Sequence, residues 1–223
     1  MHPYIKPIEK QFKQHADAIK AVWMKSYLLD QFEFYGLQAP ERSLLCKQHY
    51  KQYPVSDAEE LETIVKECFH LPQREYQYFA IGLFAYHKKL WNTSSIKIIE
   101  YCLQQKSWWD SVDGIASDWL GPYFKMFPGK IIPITSRWNK SKNMWLQRSS
   151  IMFQKAYKKD TDTTLLSQYI LNCVYSKEFF IQKAIGWALR EYSKTNPGWV
   201  KQFVKENTLA PLSEREALKR INK

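Results

Sequence analysis

The chain repeats itself at a spacing of 35 residues, and that register restricts it to stacked copies of one local unit. Counting in this step gives Tyr78, Asp113, Arg148 and Lys183, and residues 147–157 align without gaps on residues 182–192. On a helix of about 3.6 residues per turn, offsets of 4, 7 and 11 share one face. Arg148, Met152, Lys155 and Lys159 of one copy match Lys183, Trp187, Arg190 and Lys194 of the next, so each copy is expected to carry a basic stripe along one helix. Ile181, Ile185, Ala188 and Tyr192 fall on the opposite side and are the residues to be buried. Trp187 then has its π face among cations. One repeat before Arg148 the column carries a carboxylate, Asp113. The combination points to a nucleic-acid surface with one reactive spot.

Helical periodicity interrupted by short polar breaks runs through the whole chain. Pro40, Pro72 and Pro197 suit first-turn positions and Asn196 an N-cap, while Ser56-x-x-Glu59 and Ser213-x-x-Glu216 have capping-box spacing. These signals predict roughly twelve to fourteen helices and no sheet. Paired helices repeating at this period bury their apolar faces on their neighbours. The expected fold is therefore all-α, a HEAT-like helical-repeat solenoid with a concave basic groove, and residues 1–223 are expected to form a single domain.

A net charge of +11, with 33 basic residues interspersed among 22 acidic ones, implies a folded surface for an anionic partner, and not a disordered basic tail. Four widely spaced cysteines with no C-x-x-C suggest neither a disulfide framework nor a thiolate metal site, in keeping with a reducing cytoplasm. No apolar run is long enough for a membrane span, and the N-terminus lacks the apolar region of a signal peptide. Seven glycines, none spaced as G-x-G, leave no phosphate-cradling turn for a nucleotide cofactor. The five histidines form no i,i+3 or i,i+4 pair, so no metal and no cofactor are expected.

In the segment 108–119, Trp108, Val112, Ile115 and Trp119 make one apolar stripe of a helix, which leaves Asp113 off it and Trp109 one turn before Asp113. Trp109 and Asp113 therefore project together. Core packing is the ordinary fate of a tryptophan, and it is the reading for Trp108, Trp119 and Trp138; the helix-face argument assigns Trp187 to the surface, and spacing alone does not decide Trp109. Asp113 is either a reactive group or a solvated charge or cap beside Gly114. Arg148 is either a phosphate contact in the stripe or the ion-pair partner of Asp113.

These residues also carry a resemblance. Phe32-Glu33-Phe34-Tyr35-Gly36, Pro40-Glu41-Arg42, Lys106-Ser107-Trp108-Trp109-Asp110-Ser111-Val112-Asp113, Trp145-Leu146-Gln147-Arg148 and residues 176–187 resemble the bacterial DNA glycosylases for alkylated purines built from HEAT-like repeats, the AlkD family. The S-W-W-D-x-V-D run is the most specific of these motifs, and the likeness covers nearly the whole chain. It departs from the family at Ser43, where a second arginine is common after Pro-x-Arg. The resemblance implies that Asp113 is the catalytic carboxylate, that Trp109 and Trp187 flank the lesion nucleotide, that Arg148 and Arg190 hold the DNA backbone, and that Tyr27 lies at the site. With Lys155, Lys159, Lys183 and Lys194 these make the expected DNA-binding set.

The implied activity is excision of cationic N3- or N7-alkylated purines, such as 3-methyladenine and 7-methylguanine, by a monomer acting on double-stranded DNA without membrane or nucleotide cofactor. Alkylation makes the base a good leaving group, so the charge to be stabilised is that of an oxocarbenium-like sugar. The alternatives are a non-catalytic helical-repeat nucleic-acid binder and a protein-binding adaptor. The binder has no use for a lone acid in a phosphate-facing column, since it repels the ligand, and the adaptor does not need the basic stripe. If the stripe meets phosphates, duplex affinity falls steeply with salt, each contact adding about 0.9 to the log–log slope. A salt titration on duplex DNA checks this, and a flat profile rules the stripe out as the DNA surface.

Overall fold

The computed structural model describes residues 1–221. Among them there are fourteen α-helical segments and no strand, the nearest approach to a sheet being an isolated bridge between Glu33 and Gln73. Their contacts gather into two compact units, one from Met1 to Lys106 and one beginning at Ser107.

The first unit holds α1 (Ile5–Gln14), α2 (Ala18–Tyr27), α3 (Ala39–Gln52), α4 (Ala58–His70), α5 (Arg74–Tyr86) and α6 (Ile96–Gln104). The helices form because their apolar residues recur at helical spacing. In α4, Leu61, Ile64, Val65, Cys68 and Phe69 are all buried at offsets of 3, 4, 7 and 8. Burial of each such large side chain stabilises by about 1.5–3 kcal/mol. Asp57, not Ser56, caps α4, its carboxylate accepting from Glu60 N–H at 2.7 Å. Pro72 falls between α4 and α5, whereas Pro40 sits in the first turn of α3 as expected. A buried carboxylate closes the loop after α2, since Glu75 accepts from the N–H groups of Tyr35, Gly36 and Leu37. Gly36 is needed there, with φ of 97° and a position where a Cβ would lie 2.1 Å from Asp17 O.

The second unit holds α7 (Trp109–Ile115), α8 (Gly121–Met126), α9 (Ile131–Asn139), α10 (Met144–Met152), α11 (Thr163–Asn172), α12 (Phe179–Tyr192), α13 (Pro197–Glu206) and α14 (Pro211–Leu218). A π-helical turn over Ala116–Leu120 joins α7 to α8. Its cause is Pro122, which has no N–H to donate to the carbonyl four residues earlier and therefore opens the ladder just upstream. Asn143, Asp162 and Asn196 cap α10, α11 and α13 through their side chains. α7 packs on α10, α10 on α12, and α12 on α14, so one helix from each successive repeat lines up in a column. Trp119 and Trp138 are fully buried, as expected, while Trp108 is half-buried against Trp145 and Phe180.

Two further expectations need correction here. The basic stripe does not run along unbroken helices. α10 stops at Met152, because the side chain of Gln154 bonds the backbone of Asp162 on both sides and Lys158 takes a left-handed conformation with φ of 55°. Lys155 and Lys159 thus follow the helix, and Lys194 lies beyond the end of α12. The Ser213–Glu216 pair is no capping box, since both residues lie inside α14 and Ser213 Oγ donates to Gln182 O at 2.8 Å.

Gly186 controls how close α14 comes to α12. A Cβ at this position would lie 2.6 Å from Glu216 Cβ and 2.7 Å from Ser213 O. Gly186→Ala should therefore push α14 outward and destabilise the fold by about 1–3 kcal/mol despite the better helix propensity of alanine. Chemical denaturation measures the loss, and an unchanged midpoint contradicts the close approach.

Candidate functional site

The helix column of the second unit opens onto a cleft of about 260 Å³. α7 supplies Trp109 and Asp113, α10 Arg148, α12 Phe179, Phe180, Lys183, Trp187 and Arg190, and α14 Glu216. Trp109 and Asp113, one turn apart, line it together.

Asp113 and Arg148, 35 residues apart, make a two-pronged ion pair: Nε donates to Oδ1 and Nη2 to Oδ2, each at 2.8 Å. The third nitrogen, Nη1, donates to the carbonyl of Phe180 at 2.6 Å. The Arg148 side chain is 3% exposed and that of Asp113 10%. The guanidinium therefore spans α7, α10 and α12 with all three nitrogens engaged, and the ion pair with Asp113, one of its two readings, is present. Each Asp113 oxygen keeps a second lone pair, and the carboxylate fronts the cleft.

Lys183 Nζ and Arg190 Nη1 donate to the two oxygens of Glu216, at 2.9 and 2.6 Å. The hydrogen bond from Lys183, aided by the charge of both cations, holds the Glu216 carboxyl below the usual carboxylate range despite its burial. Trp187 stands between cations, with Lys155 Nζ 4.2 Å and Arg190 Cζ 5.9 Å from its ring centre. Burial lowers the Lys155 pKa, opposed by the charges of Asp113 and Glu191. Lys155 thus braces Trp187 from a half-buried position. Burial raises the Asp118 pKa, in part offset by Lys155.

Of the remaining residues singled out above, Lys159 is exposed on a 3-10 turn after α10, and Lys194 pairs with Glu191 at 2.6 Å. Tyr27 belongs to the first unit, where it closes α2 and is 70% exposed. Glu216, Phe179 and Phe180 were missed. The only sequence signal for Glu216 was an acid 33 residues beyond Lys183, close to the repeat length, and the capping-box spacing concealed it.

Helices stacked in register, with a cleft built from one helix of each repeat, define a helical-repeat protein. The chain belongs to the DNA alkylation repair enzymes, whose family model, described as "DNA alkylation repair enzyme", matches residues 8–221. A solved structure described as a predicted DNA alkylation repair enzyme from Enterococcus faecalis is 35% identical, with a TM-score of 0.87 over 93% of this chain and 97% of that one. The crystal structure of AlkD2 from Streptococcus mutans shares the fold at 19% identity, with a TM-score of 0.63 over 90% of this chain and 98% of that one. No match is found among curated protein sequences.

Breaking the Asp113–Arg148 pair from the arginine side leaves a nearly buried carboxylate unpaired. Arg148→Met should cost about 3–5 kcal/mol of stability, read from equilibrium denaturation. A loss under 1 kcal/mol would show that the pair does not organise the column.

Proposed function

We propose that the protein is a DNA glycosylase that excises cationic N3- or N7-alkylated purines, such as 3-methyladenine and 7-methylguanine, from duplex DNA, residues 1–223 acting as one monomeric module. The observation that carries this reading is the Asp113 carboxylate, held in a two-pronged pair by Arg148 at the wall of a cleft that also presents Trp109 and Trp187.

An alkylated purine already bears the positive charge that protonation would otherwise supply. The C1′–N bond breaks with both electrons going to the base, which leaves neutral, and the sugar becomes an oxocarbenium-like cation. Asp113 stabilises that cation and orients the water that attacks C1′, while the faces of Trp109 and Trp187 flank the nucleotide. Because Arg148 fixes the carboxylate before substrate arrives, little reorganisation accompanies the reaction. In this reading Lys183 and Arg190 are the backbone contacts at the cleft, Lys159 and Lys194 are peripheral ones, Lys155 acts through Trp187, and Tyr27 contributes from the first unit.

Release of free methylated base from alkylated duplex DNA tests the activity. Asp113→Asn should lower single-turnover excision by roughly 10²-fold or more, the scale of losing one preorganised electrostatic group. Duplex affinity should hold or rise, since the change removes a negative charge from the wall of the cleft that meets the phosphates. Unchanged excision would make Asp113 incidental to the chemistry, and affinity lost in parallel with stability would mark it as purely architectural.

A further inference from the structure

Lys183 and Arg190 both line the cleft, and their side chains are 37% and 25% exposed, so neither is committed to the core. One carboxylate nevertheless holds both. Glu216 places one oxygen on Lys183 Nζ and the other on Arg190 Nη1. The two non-bridging oxygens of a phosphodiester would bridge the same pair of cations in the same way.

Glu216 does not reach this fork as a loose surface chain. Its side chain is 11% exposed, its Cβ lies against Gly186 where no other residue fits without displacement, and Ser213, one turn earlier on α14, is bonded to Gln182 O. The backbone is thereby set against α12, while the side-chain torsions can carry the carboxylate away from the fork. Charge shows the consequence. Asp113 balances Arg148, and Glu216 balances one of the other two cations, so these five groups keep a single net positive charge where three cations face the cleft.

We propose that Glu216 is an internal substitute for a DNA backbone phosphate: it occupies the Lys183–Arg190 fork in the free protein and yields it when a phosphodiester binds there. The inference rests on the DNA-facing role proposed above for the cleft. Glu216 then competes with any duplex, damaged or not, and weakens the hold of the cleft on DNA that it has no reason to retain.

The test compares the full-length protein with Glu216→Gln and Glu216→Asp on an undamaged duplex, at several salt concentrations. Glu216→Gln should bind roughly tenfold more tightly, the equivalent of about 1.4 kcal/mol. Its log–log salt slope should be steeper by about 0.9 for each cation released to a phosphate. Millimolar inorganic phosphate should raise the melting temperature of Glu216→Gln and leave that of the wild type nearly unchanged. Glu216→Asp keeps the charge on a shorter arm and should fall between the two; if Glu216→Gln does not fold, raised affinity and phosphate stabilisation in Glu216→Asp decide in favour. Equal or weaker binding with an unchanged slope overturns the proposal and makes Glu216 an organiser of the two cations. Binding to undamaged DNA needs no chemistry, so these shifts without any base release would remove the glycosylase reading and leave this one standing. A wild type and a Glu216→Gln variant that both ignore DNA would remove both.

Discussion

A guanidinium almost wholly removed from water must be paired, because an unpaired buried charge costs several kcal/mol. Arg148 meets that demand with the carboxylate of Asp113 and the carbonyl of Phe180, one on the preceding helix of the column and one at the start of the next. The same contact that makes the second unit cohere therefore sets the direction of the Asp113 oxygens. Structure and proposed chemistry share one interaction. An aspartate whose orientation depended on solvent would have to be ordered as charge develops on the substrate, whereas here that ordering is complete once the chain has folded.

The remaining charges of the cleft follow from it. With Arg148 committed inward, Lys183 and Arg190 are the cations left facing the opening, and Glu216 is the anion that answers them. Close packing of α12 on α14, allowed by Gly186, is what brings an acid from the last helix of the column into the site. Trp187 shares the wall, its ring flanked by Lys155 and Arg190.

Much of this was legible from the residues alone. The 35-residue step found the column of Asp113, Arg148 and Lys183, and it found it because helix stacking turns a constant sequence interval into spatial neighbourhood. The i,i+4 spacing placed Trp109 beside Asp113, and the polarity of the face around Trp187 kept that residue out of the core. Helix-face arithmetic failed where the helices ended. Lys155, Lys159 and Lys194 obey the spacing of a stripe whose helices stop at Met152 and Tyr192, the first where the side chain of Gln154 turns back to bond the backbone of Asp162.

The sequence by itself determined the all-helical repeat, most of the residues turned toward the core, with Tyr192 and Trp108 only half-buried, and the acid that interrupts a basic column, because those follow from periodicity, composition and local helix chemistry. Which charges find each other was decided only by the tertiary structure. Arg148 had two readings on spacing alone, a phosphate or Asp113, and only the packing of the helices brings it to Asp113. Glu216 had the spacing of a helix cap, and only the docking of α14 against Gly186 makes it a partner of Lys183 and Arg190. Pairing energies depend on distance and desolvation, and neither exists until the helices have packed.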